Sequence, residues 1–344
     1  METIDRALQT LAEKYADKRL NVFEVTAASA ESGRVALAGR VLDQAAREET
    51  LRAVRAAAPG VDIDESGLRV LRGPNPQRRA VAANLTSLQG QPDWLSEMTS
   101  QLLAGQRLDV LEEQDRWGFV RQEDGYLGWA YLPYLTAAEP LPPTHMVCAP
   151  LDRLLDRPDG APLGRIMGGT RVALHERRLE WARVSVFEQD DAGQPAQVAS
   201  GWVHGHSLRP LDGMPATPAH RREQIVADAL TLLGSPYLWG GCAAGGIDCS
   251  GFAQLLHRWI GLEIPRDADL QCYAGRPVEP PYRPGDLLFW GSKVEKPVIT
   301  HVTVSVGGWH IIHSSRRRNG VYRDDAKAVY DLDKEFIAAR TYLD

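Results

Sequence analysis

Gly246-Ile247-Asp248-Cys249-Ser250-Gly251-Phe252 runs directly into Ala253-Gln254-Leu255-Leu256-His257-Arg258-Trp259-Ile260 and stops at Gly261. Apolar residues recur at helical spacing after Cys249, and a glycine follows the last of them. Cys249 therefore stands at a predicted helix N-terminus, with Asp248 in the capping position. Free backbone N–H groups and the helix dipole at that end favour a thiolate, the nucleophilic form of cysteine. A nucleophile of this kind needs a base.

The candidate bases lie downstream. His301-Val302-Thr303-Val304-Ser305-Val306 reads as a strand, Gly307-Gly308 as a tight turn, and Trp309-His310-Ile311-Ile312-His313 as the returning strand. A two-residue loop pairs Val306 with Trp309 and sets His301 opposite residue 314. His301 and His313 are then neighbours with a one-residue offset, which a slip or bulge accommodates. His310 falls on the opposite face from His313 by strand alternation. A cysteine with an imidazole, oriented by a third polar group, is a nucleophile–base arrangement. Cys249 is assigned as nucleophile, His301 as general base and acid, and His313 as the orienting member. A metal site built from the same three residues lacks a visible fourth ligand, and no cofactor motif is present. His257, two turns into the cysteine helix, is expected on the surface. Cys242 and Cys272 are expected to be small core residues.

Further blocks flank these residues. Gly234-Ser235-Pro236-Tyr237-Leu238-Trp239-Gly240-Gly241 precedes the cysteine segment, Pro265-Arg266-Asp267-Ala268-Asp269-Leu270-Gln271 follows it, and Pro284-Gly285-Asp286-Leu287-Leu288-Phe289-Trp290 and Thr300-His301-Val302 come later. In this order the blocks resemble the NlpC-type family of cell-wall cysteine peptidases. The resemblance implies a papain-like fold with Cys249, His301 and His313 as catalytic residues. It also implies that Tyr237 lies beside the cysteine, where a hydroxyl would face the oxyanion. Trp239, Asp248, Ser250, Arg266 and Asp267 are expected to contact substrate, with helix capping by Asp248 and an internal ion pair at Arg266 as the competing readings. Trp239 divides evenly between packing and shaping the cleft.

Upstream, residues 1–76 read as helix–strand–strand–helix–strand, with Asp43 capping the second helix, and resemble a BON-like domain. Two strands, Val22–Thr26 and Val35–Val41, are separated there by a Glu-Ser-Gly turn. An internal repeat follows. Gly105-Gln106-Arg107-Leu108-Asp109-Val110, Trp117-Gly118-Phe119-Val120 and Gly128-Trp129-Ala130 return as Gly169-Thr170-Arg171-Val172-Ala173-Leu174, Trp181-Ala182-Arg183-Val184 and Gly201-Trp202-Val203. The second copy carries an insertion, Glu188–Gln197. Short β-rich runs with close turn signals predict small antiparallel barrels. They resemble tandem bacterial SH3-like domains at residues 77–139 and 140–214, ahead of a peptidase domain at 215–344. The fold class expected is thus multidomain α+β.

This layout is similar to the γ-D-glutamyl-L-diamino acid endopeptidases of the YkfC type. The resemblance implies a muropeptide substrate with a free N-terminal L-alanine, cut between γ-D-glutamate and diaminopimelate or lysine. It points to Asp267 and a tyrosine of the first SH3-like domain, Tyr126, as acceptors for the ammonium, which needs partners once desolvated. The family's glutamate after the first repeat's glycine reads Gln106 here, an acceptor without charge. Two other classes stay open: a wall-peptide binding protein with an inert last domain, and an acyltransferase or amidase on the same scaffold.

Net charge is −6, and Arg316-Arg317-Arg318 is the one basic run. It reads as a solvated loop or a contact to an anionic substrate group, and nothing favours nucleic acid. The four cysteines show no C-x-x-C spacing. No apolar leader opens the chain and no long apolar window occurs, so no membrane association and a cytoplasmic site of action in peptidoglycan recycling are expected. The oligomeric state is not readable.

Overall fold

The computed structural model describes residues 1–29, 33–187, 200–294 and 296–344. Most of the expected turn at Glu31-Ser32-Gly33 and the insertion Glu188–Gln197 lie outside them. Contacts divide the chain into two units, residues 1–79 with 107–132, and residues 80–106 with 133–344.

The first unit opens with α1 (Glu2–Lys14), β1 (Phe23–Ser29), β2 (Val35–Asp43), α2 (Gln44–Ala57) and β3 (Ile63–Arg72), in the predicted order. β1 runs antiparallel and β3 parallel to β2. Asp43 caps α2 by accepting from the Ala46 N–H at 3.0 Å. Ile4 and Leu8 from α1 and Leu51 and Val54 from α2 bury against Val35 and Leu37. Each helix thus lays one apolar stripe on the sheet.

Seven strands follow: β4 (Gln77–Val81), β5 (Leu85–Gln89), β6 (Met98–Leu103), β7 (Arg107–Gln114), β8 (Trp117–Arg121), β9 (Leu127–Tyr131) and β10 (Leu135–Thr136). The meander β7–β8–β9 belongs to the first unit. There the Leu127 N–H donates to the Arg19 carbonyl at 2.7 Å, and Leu127 joins Val22, Leu42 and Leu71 in a buried cluster. The hairpin β5–β6 belongs to the second unit. The stretch expected as one domain, 77–139, is therefore shared between the two units.

The second copy of the repeat comprises β11 (His145–Val147), β12 (Leu151–Leu155), β13 (Pro162–Met167), β14 (Arg171–Arg178), β15 (Trp181–Ser185), β16 (Ser200–His204) and β17 (Leu208–Pro210). The repeat extends to the irregularities. A bulge interrupts β7–β8 between Val110 and Glu112, and the equivalent bulge interrupts β14–β15 between Leu174 and Glu176. The hairpin turns place Asp115 and Leu179 at φ 53° and 52°. Trp117 and Trp181 are both buried, so these tryptophans are core.

The C-terminal region contains α3 (Pro218–Thr231), β18 (Cys242–Ala243), β19 (Gly246–Ile247), α4 (Cys249–Trp259), α5 (Ala268–Ala274), β20 (Arg276–Pro277), β21 (Leu287–Ser292), β22 (Val298–Gly307), β23 (His310–Ser315), β24 (Gly320–Asp325), α6 (Ala326–Val329) and β25 (Phe336–Thr341). Six of these strands form one sheet in the order β20-β25-β21-β22-β23-β24. Alternation along β21 explains its two faces. Leu287 and Phe289 join Val302, Val304 and Ile312 in a core with Ile225 of α3 and Phe252 and Leu256 of α4. Leu288 and Trp290 point the other way, to Tyr282 and Ile311. Each fully buried side chain of this size contributes about 1.5–3 kcal/mol.

Helix α4 is buried on nearly every side. This corrects the expectation for His257, which is fully buried. Its Nδ1 donates to the Ala253 carbonyl at 2.8 Å, and Tyr342 packs edge-on at 5.6 Å. Tyr342 thus covers the face expected to meet solvent, and the turn at Gly168-Gly169 lies against Trp259 and Leu255 on the other side of the helix. His310, by contrast, is exposed. Among the described residues, no helix is long and apolar enough to cross a membrane.

Candidate active site

Cys249 is the first residue of α4, and Asp248 is its N-cap. Asp248 Oδ1 accepts from the Gly251 N–H at 2.7 Å, and Oδ2 accepts from the Gly240 N–H at 2.9 Å. Arg266 donates to both carboxylate oxygens, at 3.1 and 2.7 Å. It also donates to Ser250 Oγ at 2.9 Å and to Ser100 Oγ at 3.2 Å. This network ties the start of α4 to the Gly240 turn and to β6. The approach of helix to turn is close, since a Cβ on Gly251 would sit 2.1 Å from the Gly241 carbonyl oxygen.

These contacts realise the competing readings, helix capping by Asp248 and an internal ion pair between Arg266 and Asp248, with Ser250 joined to both residues. Asp248, Ser250 and Arg266 are 6 %, 6 % and 2 % exposed. Buried charges persist where they are paired and hydrogen-bonded, and here each partner saturates the other. Their work is to hold Cys249 in place.

The histidine strands arrive from the sheet. Val304 faces Ile312 and Ser305 faces Ile311, and a bulge then sets Gly307 opposite His310. The bulge moves the register by one residue from the expected pairing. Thr303 comes opposite His313, and His301 sits two residues along on the same face, a diagonal neighbour within reach of an imidazole. His301 Nε2 and His313 Nδ1 are 2.8 Å apart. Ser314 Oγ donates to the Ile247 carbonyl at 2.6 Å, pinning β23 to the residue before the cap. Val302, next to His301, shares a buried cluster with Cys249.

Asp324, missed in the sequence, completes the line. Its Oδ2 lies 3.3 Å from His313 Nε2, and its Oδ1 accepts from Arg318 Nη2 at 3.0 Å. The register of β23 with β24 brings it there, setting Ile311 opposite Asp324 and His313 opposite Tyr322. In the sequence Asp324 is one of two adjacent acids, Asp324-Asp325, closing the strand after the histidine hairpin, and its place opposite β23 is set by pairing alone. A carboxylate only accepts, so His313 carries its proton on Nε2. Its Nδ1 then accepts from His301 Nε2–H, which leaves His301 Nδ1 with a free lone pair. Behind the pair, Tyr330 stacks on Trp290 at 4.1 Å, and its hydroxyl is 3.3 Å from His313 Nδ1.

Burial dominates the protonation states. It pushes the Cys249 thiol up to about 12, assisted by the Asp248 charge. The expected bias toward a thiolate at the helix start is outweighed, because desolvation disfavours any charged form. Burial lowers His301 to about 3, with His313 adding to the shift. Burial and the Arg318 and Arg317 charges lower His313 to about 4. The resting set is a neutral thiol beside two neutral imidazoles.

The remaining predicted residues have separate local partners. Tyr237 is half-buried; burial and then the Cys249 charge raise its pKa. Trp239 is half-exposed, and its indole N–H donates to Glu97 Oε1 at 2.7 Å. Asp267 is the N-cap residue of α5, without a side-chain capping bond. Tyr126 is a buried residue of the first unit, not a surface tyrosine. Gln106 is committed to its own turn, Oε1 accepting from the Leu103 N–H at 2.7 Å. Cys242 and Cys272 are buried, as expected. The basic run is ordered by contacts: Arg316 lies over the rings of Tyr237 and Trp239, Arg317 donates to the Val329 carbonyl, and Arg318 pairs with Asp324.

Comparisons with known proteins agree with this geometry. Residues 234–340 match the NlpC/P60 family, and residues 90–131 match the bacterial dipeptidyl-peptidase Sh3 domain. A γ-D-glutamyl-L-lysine dipeptidyl-peptidase of Bacillus subtilis is 30 % identical over 249 residues, 65 % of this chain and 79 % of the relative. A Bacillus cereus protein of the same name is 28 % identical over 73 % of this chain and 78 % of its own length. The crystal structure of an NlpC/P60 family protein from Bacillus cereus shares the fold at a TM-score of 0.64, with 22 % identity over 78 % of this chain and all of that one. A cysteine at a helix start, facing histidines on a sheet within a segment that matches the family, identifies this chain as a cysteine peptidase of the NlpC/P60 family.

Proposed function

We propose that the protein is an endopeptidase that cuts the bond between γ-D-glutamate and a diamino acid, lysine or diaminopimelate, in peptidoglycan-derived peptides with a free N-terminal L-alanine. The observation that carries the reading is the His301–His313 contact at 2.8 Å on the strands facing the α4 cysteine. The names of the Bacillus relatives support the bond chosen. In this reading Cys249 is the nucleophile, His301 the base and acid, and His313 the orienting residue.

The Cys249 thiol gives its proton to His301 Nδ1 as the sulfur attacks the γ-carbonyl. Charge is created in a dry site, where fixed donors are worth most. The Tyr237 hydroxyl is the side-chain donor for the oxyanion. The His301 imidazolium then protonates the leaving amine, and a γ-glutamyl thioester remains on Cys249. Water attacks the thioester with His301 again as base, releasing the L-alanyl-γ-D-glutamyl product and restoring the thiol. His313 and Asp324 keep His301 in the tautomer that makes the first step possible. Asp267, beside the buried Arg266, is the acceptor assigned to the substrate ammonium, and its role suits turnover of released peptides rather than intact wall.

The test is incubation with L-Ala-γ-D-Glu-L-Lys and its diaminopimelate counterpart, with and without an acetyl group on the alanine. Release of L-Ala-γ-D-Glu from the free peptides alone is expected. Equal cleavage of the acetylated peptides would remove the free-amine requirement, and no cleavage of any would remove the activity.

A further inference from the structure

The turn between β23 and β24 carries Arg316, Arg317 and Arg318. Two of the three have partners that account for them. Arg317 donates to the Val329 carbonyl at 3.0 Å, and Arg318 donates to Asp324 at 3.0 Å while covering the Tyr322 ring at 4.6 Å. Arg316 differs. Its guanidinium carbon lies 4.7 Å from the Trp239 ring centre and 5.6 Å from that of Tyr237. Among the described residues, no ion pair joins it to a carboxylate. Glu97 accepts from the indole N–H of Trp239, and Asp324 is occupied by Arg318 and His313.

The position is built. The Tyr237 N–H donates to the Asn319 carbonyl at 3.2 Å, and Pro236 bridges to Gly320. The Asn319 N–H closes the turn on the Arg316 carbonyl at 3.2 Å, with Asn319 at φ 52°. The segment before the nucleophile is thereby laced to the arginine turn. Stacking engages the flat face of a guanidinium and leaves edge N–H donors free for a planar anion. Tyr237 also carries the link to chemistry, because its backbone bridges to Ile247, two residues before Cys249, while its ring lies under Arg316. An anion on Arg316 would lie on the substrate beside the atom under attack.

We infer that Arg316, held against Tyr237 and Trp239, is a specificity residue that binds a substrate carboxylate flanking the scissile bond. The inference rests on the proposed peptidase reading. That substrate has two such groups. The α-carboxylate of γ-linked D-glutamate lies four single bonds from the scissile carbonyl carbon, roughly 5 Å when extended. The α-carboxylate of the leaving diamino acid lies two bonds from the scissile nitrogen. Both suit a planar fork, and both are lost on amidation.

The experiment measures kcat/KM of wild type, Arg316→Gln and Arg316→Lys on three peptides: L-Ala-γ-D-Glu-L-Lys, its D-isoglutamine counterpart, and its C-terminal lysinamide. Arg316→Gln is expected to lower kcat/KM on the first peptide about 10–100-fold, as for loss of a charged hydrogen bond. Arg316→Lys should lose less, since it keeps the charge without the fork. One amidated peptide should be a poor wild-type substrate that Arg316→Gln does not worsen, and that peptide identifies the carboxylate. Equal losses on all three peptides would mean a structural role and overturn the inference, as would no loss on any. Wild-type protein that cleaves none of the three overturns the peptidase reading and this inference with it.

Discussion

Replacing Asp324 by Asn removes one charge and keeps the shape, yet the structure predicts a large loss of kcat. Asp324 Oδ1 accepts from Arg318, which can only donate. The asparagine must therefore turn its carbonyl oxygen to Arg318 and present its NH2 to His313 Nε2. His313 then carries its proton on Nδ1 and donates to His301 Nε2. His301 is forced to hold its own proton on Nδ1, where the thiol proton has to go. Two contributions add. Returning His301 to the working tautomer sets the His313 Nε2–H against the asparagine NH2, two buried donors facing each other, which costs about 1–3 kcal/mol. Losing the carboxylate opposite the developing imidazolium costs ~2 kcal/mol, taking an effective dielectric of about 20 and a separation of roughly 9 Å. Together these give ~4 kcal/mol, or about 10³-fold in kcat. KM should hold, because Asp324 touches no substrate. Asp324→Ala imposes no donor and should lose only the charge contribution, roughly 30-fold. The assay is steady-state release of lysine from L-Ala-γ-D-Glu-L-Lys. An alanine variant as slow as the asparagine variant, or an asparagine variant within about fivefold of wild type, would refute the tautomer argument.

Arg266→Met leaves Asp248 buried without its partner and should cost about 3–5 kcal/mol of stability, with lower activity in parallel; urea unfolding followed by tryptophan fluorescence checks it. The buried histidines set a pH window. Folding lowers His257 from 6.5 to about 4, and His313 likewise, while His301 falls to about 3. The unfolded chain binds those protons first, so stability is full above pH 6.5 and is lost as pH falls toward 4. His257→Phe should flatten that dependence by about 1.4 kcal/mol per pH unit between roughly pH 6 and 5, and an unchanged slope in urea titrations would contradict the burial of His257.

What the sequence made legible was local. The helix behind Cys249 follows from apolar spacing and a glycine stop, and α4 spans Cys249–Trp259 as that pattern requires. The His301–His313 pairing was legible only to within one residue. Its true register depends on a bulge between Ser305 and Gly307, and no residue type there announces an extra residue. Asp324 was beyond local reading, because its place depends on how β24 pairs with β23. Polar residues next to a nucleophile look alike whether they face inward or outward, so capping, ion pairing and substrate contact all stay open in the sequence for Asp248, Ser250 and Arg266. His257 was misplaced for a related reason. A helix is read as having one dry face, whereas Tyr342 after β25 covers the side of α4 that carries His257, and Gly168 and Gly169 cover the opposite side.

Two ion pairs bracket the reacting atoms, and they serve different ends. Arg266 with Asp248 is wholly buried and fixes where the sulfur is, through the cap of α4 and the bonds to Ser250 and Ser100. Arg318 with Asp324 is open to solvent on the arginine side and fixes which nitrogen of His301 is free. Breaking the first strands a buried charge, so stability and activity fall together. Breaking the second strands little, since Arg318 is 57 % exposed and remains hydrated. Its loss should therefore appear in kcat with the unfolding midpoint nearly unchanged. That contrast separates a residue that builds the site from one that sets its proton inventory, and neither needs to touch the peptide.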